Sequence, residues 1–285
     1  MTGIIDVGGG LRGIYGAGVF DRCLADGLQF DVCIGVSAGS ANVAAFIGGQ
    51  KGRNYRFYTK YPQRSEYMSM RNVLRKGAFI DLSYVYATLS NADGEDPLRY
   101  DRIAAYDGQM VLVASGTDGD PVYFTQADMA QDDYRIIRAS SSLPVICGGC
   151  RIGEKVYYDG GIADPIPIEK AYALGCDRVV VILTRPVDFA VTDGIDRVGA
   201  AALRRRYPAL SQTLLGKAER YRESLAFAQQ KVKEGKCLIV APDDCCGVEM
   251  LTREPRKLHA LYEKGARDGG AIGAFVKDDA VDGTT

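Results

Sequence analysis

Within its first fifty residues the chain alternates apolar runs with glycine-rich turns. An apolar run at 3–7 leads into GGGLRG at 8–13, and a second run at 30–36 leads through GVSAG (35–39) into the small-residue stretch 38–46. Short apolar runs bounded by glycine read as buried strands. Between them Ile14, Tyr15, Val19, Phe20 and Leu24 recur every three to four residues, the helical period, and Gly27 is placed to stop that helix in the left-handed conformation. Strand, helix, strand, helix predicts a mostly parallel sheet with helices on its faces, joined by right-handed crossovers. The fold class expected is therefore α/β, with three α/β/α layers.

Further elements follow from the same periods. Residues 50–108 are polar, tyrosine-rich and helical in pattern, which suggests an insertion over one end of the sheet. The runs at 110–115 and 121–125, separated by GTDGD, predict a hairpin. A helix is expected at 133–142, short strands within 145–158, a helix at 168–174 and a fully buried strand at 178–183. Leu210, Leu214, Ala218, Tyr221, Leu225, Ala228 and Val232 trace one helical stripe, read as core packing, before a strand at 237–241 and a last helix from about Met250. The tail KDDAVDGTT has no apolar period and is expected to fray. No linker marks a domain boundary, so 3–172 reads as the core and 173–285 as a continuation of the same domain.

Composition narrows the function classes. A net charge of −1 lacks the basic excess of a nucleic-acid binder. The start MTGIIDVGGG is not a signal peptide, and no run of about 18 apolar residues follows, so a cytoplasmic protein is expected. The eight cysteines then read as thiols. A zinc site from Cys147, Cys150, Cys245 and Cys246 is disfavoured, because the second pair lacks the two-residue spacing.

GVSAG fits G-x-S-x-G at the strand-to-helix turn that this motif requires. Gly35 and Gly39 leave room for a strained turn that lifts Ser37 toward solvent as a nucleophile, beside the N–H groups of a helix starting at Ala38. GGGLRG has two readings. It matches a dinucleotide-binding turn, but the next strand ends in GVSAG where that turn calls for an acidic residue. Alternatively the N–H groups of Gly9 and Gly10 form an oxyanion hole, with Arg12 adding charge or bracing the loop. Both loops leave the carboxyl ends of neighbouring parallel strands and so can face one crevice.

A serine nucleophile needs a base, and the chain has one histidine, His259, set among charged residues in KLHALYEKG. The order Ser37, Asp159, His259 permits a triad. However, only 36 residues precede Ser37, too few for the strands an α/β-hydrolase places before its elbow. The other candidate is Asp159 in YYDGGIADPIP, where Gly160 and Gly161 let the chain turn away without covering the carboxylate.

With GGGLRG, GVSAG and YYDGG in that order, the chain resembles the patatin-like phospholipases over roughly residues 3–172. ASSSLP (139–144) and DPIP (164–167) are similar to segments that accompany these motifs in the family. The resemblance implies a Ser37–Asp159 dyad without cofactor or metal, an oxyanion loop of Gly8, Gly9, Gly10, Arg12 and Gly13, and hydrolysis of lipid esters. In the family that loop begins Asp-Gly-Gly-Gly, whereas here Asp6 and Val7 precede Gly8. The expected partner is a lipid or other ester, with transient contact to a membrane surface. Arg204, Arg205 and Arg206 are candidates for that contact, although a solvated helix face is the better account of them. A non-catalytic lipid-binding relative is a further alternative, which the intact dyad disfavours.

Overall fold

A computed structural model describes residues 1–189 and 194–277. Most of the tail KDDAVDGTT, from residue 278 on, lies outside the described residues.

The strands are β1 (Thr2–Asp6), β2 (Val32–Val36), β3 (Gln109–Gly116), β4 (Pro121–Thr125), β5 (Cys150–Ile152), β6 (Lys155–Asp159), β7 (Arg178–Ile182) and β8 (Cys237–Val240). They form one sheet in the order β5-β6-β3-β2-β1-β7-β8, with β4 also paired to β3. Five strands, β3-β2-β1-β7-β8, run parallel, and β4, β5 and β6 add antiparallel pairs. The helices are α1 (Ile14–Ala25), α2 (Ala38–Ile47), α3 (Arg53–Thr59), α4 (Met70–Lys76), α5 (Tyr100–Ala104), α6 (Arg135–Ser140), α7 (Ile168–Ala173), α8 (Gly194–Leu203), α9 (Pro208–Leu215), α10 (Lys217–Lys233), α11 (Pro255–Asp268) and α12 (Ile272–Lys277).

Successive strand side chains point to opposite faces, and this alternation builds two cores. Ile4, Cys33, Leu112 and Val180 pack with Val19 and Phe20 of α1, Val43 of α2 and Leu258 of α11. Their neighbours Ile5, Ile34, Val111 and Val181 pack with Ile168 of α7 and Leu225 and Ala228 of α10. The molecule is thus a three-layer α/β/α fold with a mostly parallel sheet.

Residues 50–108 form no strand beyond an isolated bridge between Met68 and Ile80. This helical insertion is pinned by Asp96, buried and bonded to Arg56 Nε at 2.7 Å and to Tyr61 Oη at 3.2 Å, with buried Arg53 3.7 Å away.

Three local expectations need correction. The stripe from 210 to 232 is two helices, interrupted at Gly216. Leu210 and Leu214 join Tyr158 in a separate cluster, Leu225 and Ala228, with half-buried Tyr221, pack on the sheet, and Val232 is exposed. The last long helix begins at Pro255, not near Met250; proline suits the first helical turn because its missing N–H would have no partner there. Residues 145–149 turn instead of extending, with positive φ at Val145 and Gly148.

Helices α1 and α11 cross at a close approach, because a Cβ on Gly18 would strike the Tyr262 carbonyl and one on Gly265 the Tyr15 carbonyl. Gly265→Ala is expected to destabilise the protein by about 1–3 kcal/mol through overpacking, although alanine favours helix by roughly 1 kcal/mol. Gly273→Ala, with nothing within 4 Å of the added carbon, should be neutral or stabilising. Chemical denaturation of both variants checks the contrast.

Candidate active site

The elbow follows from steric crowding. Ser37 joins β2 to α2 at φ 56 and ψ −131, a conformation costly for a residue with a side chain, by roughly 1–3 kcal/mol. A Cβ on Gly35 would come within 2.5 Å of Ser40 Cα, and one on Gly39 would strike the Asp6 carbonyl. The turn is held from outside as well. Ser140 Oγ accepts the Ser37 N–H at 3.0 Å and the Ser40 hydroxyl at 2.7 Å.

The glycine loop lies against this elbow. Gly8, Gly9 and Gly10 all have positive φ, and a Cβ on Gly8 would meet the Val36 carbonyl and the Ala38 nitrogen. Asp6, fully buried, accepts the Gly8 N–H at 2.8 Å and Asn42 Nδ2 at 2.8 Å, while Asn42 Nδ2 also donates to the Gly13 carbonyl at 2.8 Å. Thr184, just after β7, donates to the Gly8 carbonyl. The Leu11 N–H donates to the Met250 carbonyl at 2.9 Å, and a Cβ on Gly10 would come within 2.6 Å of Met250 Cγ. The loop is thus packed between the elbow on one side and Met250 on the other. No protein partner takes the N–H of Gly9 or Gly10 among the described residues.

Asp159 ends β6 and is 3 % exposed. Its N–H donates to the Ser142 carbonyl at 3.0 Å, its carbonyl accepts from Ser115 Oγ at 2.8 Å, and its Oδ1 accepts the Gly161 N–H at 2.9 Å. A Cβ on Gly160 would strike the Val113 carbonyl, so the chain can leave the strand there only as glycine. The other oxygen, Oδ2, is buried without a hydrogen-bond partner. Burial raises the Asp159 pKa above the usual 3.8. Ser37 is the foremost group opposing that shift, followed by Lys217 and the Gly161 N–H, while Asp196 adds to it. The two side chains are therefore neighbours, although no hydrogen bond of ordinary geometry joins them; such bonds are often long before substrate binds.

Ser37 opens into an apolar pocket with an empty volume of about 680 Å³, its mouth included. Gly10, Leu11 and Ala38 line the wall beside the serine. The insertion contributes Phe57, Tyr58, Tyr67, Met68 and Leu82, and the C-terminal third Met250 and Leu251.

Arg12, Gly8, Gly9 and Gly13 support this wall from outside the pocket. Burial lowers the Arg12 pKa to about 10, with Arg185 adding to the effect. His259 is exposed, 3.2 Å from Tyr55 Oη, and lines no part of the pocket; Arg204, Arg205 and Arg206 are likewise exposed and outside it. The eight cysteines are free, and among the described residues no group of three His, Cys, Asp or Glu side chains is arranged to hold a metal. Sequence reading assigned no role in the site to Asp6, Asn42 or Met250. Ser140 lies in a noticed segment, ASSSLP, but had no assigned role.

The chain belongs to the patatin-like phospholipases, a family of lipid acyl hydrolases whose model matches residues 7–172. Residues 207–272 match a second model, a domain of unknown function (DUF6363). Among individual proteins, the chain is 36 % identical over 189 residues to the uncharacterized protein YjjU of Escherichia coli K12, covering 63 % of this chain and 50 % of that protein. The chain thus spans about half the length of that relative. Among solved structures, VipD from Legionella pneumophila superposes with a TM-score of 0.49 at 13 % identity, covering 95 % of this chain and 66 % of that one. No helix among the described residues is long and apolar enough to cross a membrane.

Asp6 gives the site a measurable property. Burial pushes its carboxyl from the ordinary 3.8 up to about 6, against the Asn42 and Gly8 hydrogen bonds. Between those values the folded protein holds the proton more tightly than the unfolded chain, so this group's contribution to stability falls as pH rises through the window and then levels off. Asp6→Asn, neutral throughout, should remove that slope. Urea denaturation of both proteins across the window should therefore show wild type losing on the order of 2–3 kcal/mol relative to the variant.

Proposed function

We propose that the protein is a serine acyl hydrolase that cleaves carboxylic esters of lipids with a Ser37–Asp159 dyad. The observation that carries this reading is the buried, unpartnered Oδ2 of Asp159 beside a strained Ser37 at the wall of an apolar pocket.

Ser37 Oγ attacks the ester carbonyl carbon as Asp159 takes its proton. The negative charge that develops on the carbonyl oxygen is met by the free N–H groups of Gly9 and Gly10 and by that of Ala38 at the N-terminus of α2. Collapse of the tetrahedral intermediate breaks the ester C–O bond, and Asp159 returns the proton to the departing alcohol. Water then attacks the acyl-serine, giving its proton to Asp159, and the fatty acid leaves as Ser37 is reprotonated. No step requires a metal or organic cofactor. The acyl chain lies among Leu11, Phe57, Met68 and Leu82, whose apolar surface favours it over water.

The base must be ionised to act, so activity should fall as pH drops through an apparent pKa above the ordinary 3.8, the direction in which burial moves Asp159. Hydrolysis of a lysophospholipid and of a soluble short-chain ester by Ser37→Ala and Asp159→Asn should drop by at least about a thousandfold, and His259→Ala should retain wild-type rates. Substantial turnover in Ser37→Ala would refute the dyad, and a dead His259→Ala would restore the triad.

A further inference from the structure

Helix α4 is built inside out. Six of its seven residues are exposed, and the one buried side chain is the polar Asn72, whose Nδ2 donates to the carbonyls of Glu66 and Tyr67 at 3.1 and 3.2 Å. Its apolar residues face water instead: Leu74 is 89 % exposed, Met70 67 %, and Val73 is exposed as well. A short helix on a globular surface ordinarily turns its apolar stripe inward. The helix is nevertheless well defined, with Ser69 capping its first turn and Gly77 ending it in the left-handed conformation. The outward stripe is therefore a built feature.

Its position gives it meaning. Met68 and Ile80, which both line the pocket, are bridged to one another, and α4 is the excursion between them. Two further loops are tied to that rim. The Ile80 N–H donates to the Ile146 carbonyl at 3.1 Å, and Arg253 Nη1 donates to the Met68 carbonyl at 3.3 Å. Each of these loops also presents an apolar side chain to water, Val145 at 55 % exposure and Leu251. Val145 does so from a positive φ of 67°, a genuine outlier for a β-branched residue. Three separate segments that contribute to the lining of one pocket thus also carry exposed apolar side chains.

The charge beside them selects the partner. Arg71 and Arg75 alternate with the apolar residues of α4 and form no ion pair among the described residues, while Lys76 is taken up by Asp81. Basic groups interleaved with apolar ones at an exposed helix suit the anionic surface of a bilayer, where apolar side chains enter the acyl boundary and cations meet headgroups.

We propose that the surface next to the pocket formed by Met70, Val73, Leu74, Val145 and Leu251, flanked by Arg71 and Arg75 at the edge of a neighbouring polar cleft, is a docking surface for an anionic lipid bilayer. Docked this way, the mouth faces the membrane, and a lipid passes from bilayer to pocket without exposing its chain to water. The docking itself does not depend on the proposed chemistry.

The test uses the full chain carrying Ser37→Ala, so that no lipid is consumed, and measures co-sedimentation with vesicles of phosphatidylcholine alone or with part of it replaced by phosphatidylglycerol. Binding should be stronger to the anionic vesicles and weaken as salt screens it. Met70→Ser/Leu74→Ser should reduce vesicle affinity about tenfold or more, and Arg71→Gln/Arg75→Gln should remove most of the preference for phosphatidylglycerol. With Ser37 intact, both double variants should hydrolyse a soluble short-chain ester at the wild-type rate, which also reports that they fold. Equal vesicle binding by wild type and Met70→Ser/Leu74→Ser would overturn the proposal. So would a wild type that ignores vesicles but forms dimers that this variant abolishes, since the occupant would then be a second copy of the chain. Vesicle binding that depends on these residues in a protein inactive on every ester would sustain the docking surface while the hydrolase reading failed.

Discussion

One edge of β3 brings the site together. Its opposite edge pairs with β4 from Val111 to Ser115, so β2 and β6 share the remaining one. β2 occupies it up to the pair Val36–Val113, and β6 takes over at the next residue, with Ala114 opposite Asp159. Successive strand residues are about 3.3 Å apart. The end of β2, followed at once by Ser37, and the end of β6, which is Asp159, therefore meet tip to tip. A register slip of one residue would turn every side chain of the slipped strand to the other face. The two residues are adjacent because two strands distant in sequence share one ladder.

Bringing two loops and a carboxylate to that point requires backbones to approach more closely than side chains allow, and glycine meets the need at Gly8, Gly39 and Gly160. Close approach also leaves polar backbone groups without water, which the protein must satisfy internally. Asp6 and Asn42 do this for Gly8 and Gly13, and Ser140 does it for the elbow. The network contains a fully buried carboxylate with no cation bonded to it, an arrangement that costs stability and holds the loop in one conformation. Stability is thereby exchanged for position at the residues around Ser37.

The same constraints explain what was legible in the sequence. Positions that only glycine can fill leave a signature, so GGGLRG, GVSAG and DGG could be found by inspection, and the short buried strands between them announced an α/β sheet. Asp6 was visible only as a departure, because it stands one residue earlier than the family's loop aspartate, and only the structure shows its carboxylate on the Gly8 N–H. The break at Gly216 was hidden because the apolar period continues across it. The roles of residues 50–108 and of Met250 rest on long-range contacts, such as the Arg253 guanidinium on the Met68 carbonyl, for which local sequence carries no signal.

Those long-range contacts also bear on the region of unknown function. The patatin-like match ends at residue 172, yet β7 and β8 continue the same sheet beyond it, and the Met250 carbonyl takes the N–H of Leu11 within the glycine loop. Helix α11 braces α1, the helix that follows that loop, across the glycine-lined crossing at Gly18 and Gly265. Residues 207–272 thus hold the glycine loop from above through Met250 and from behind through α11, besides closing one wall of the pocket. A change in this region would reach the serine through the conformation of Gly10 and Leu11, without touching Ser37 or Asp159.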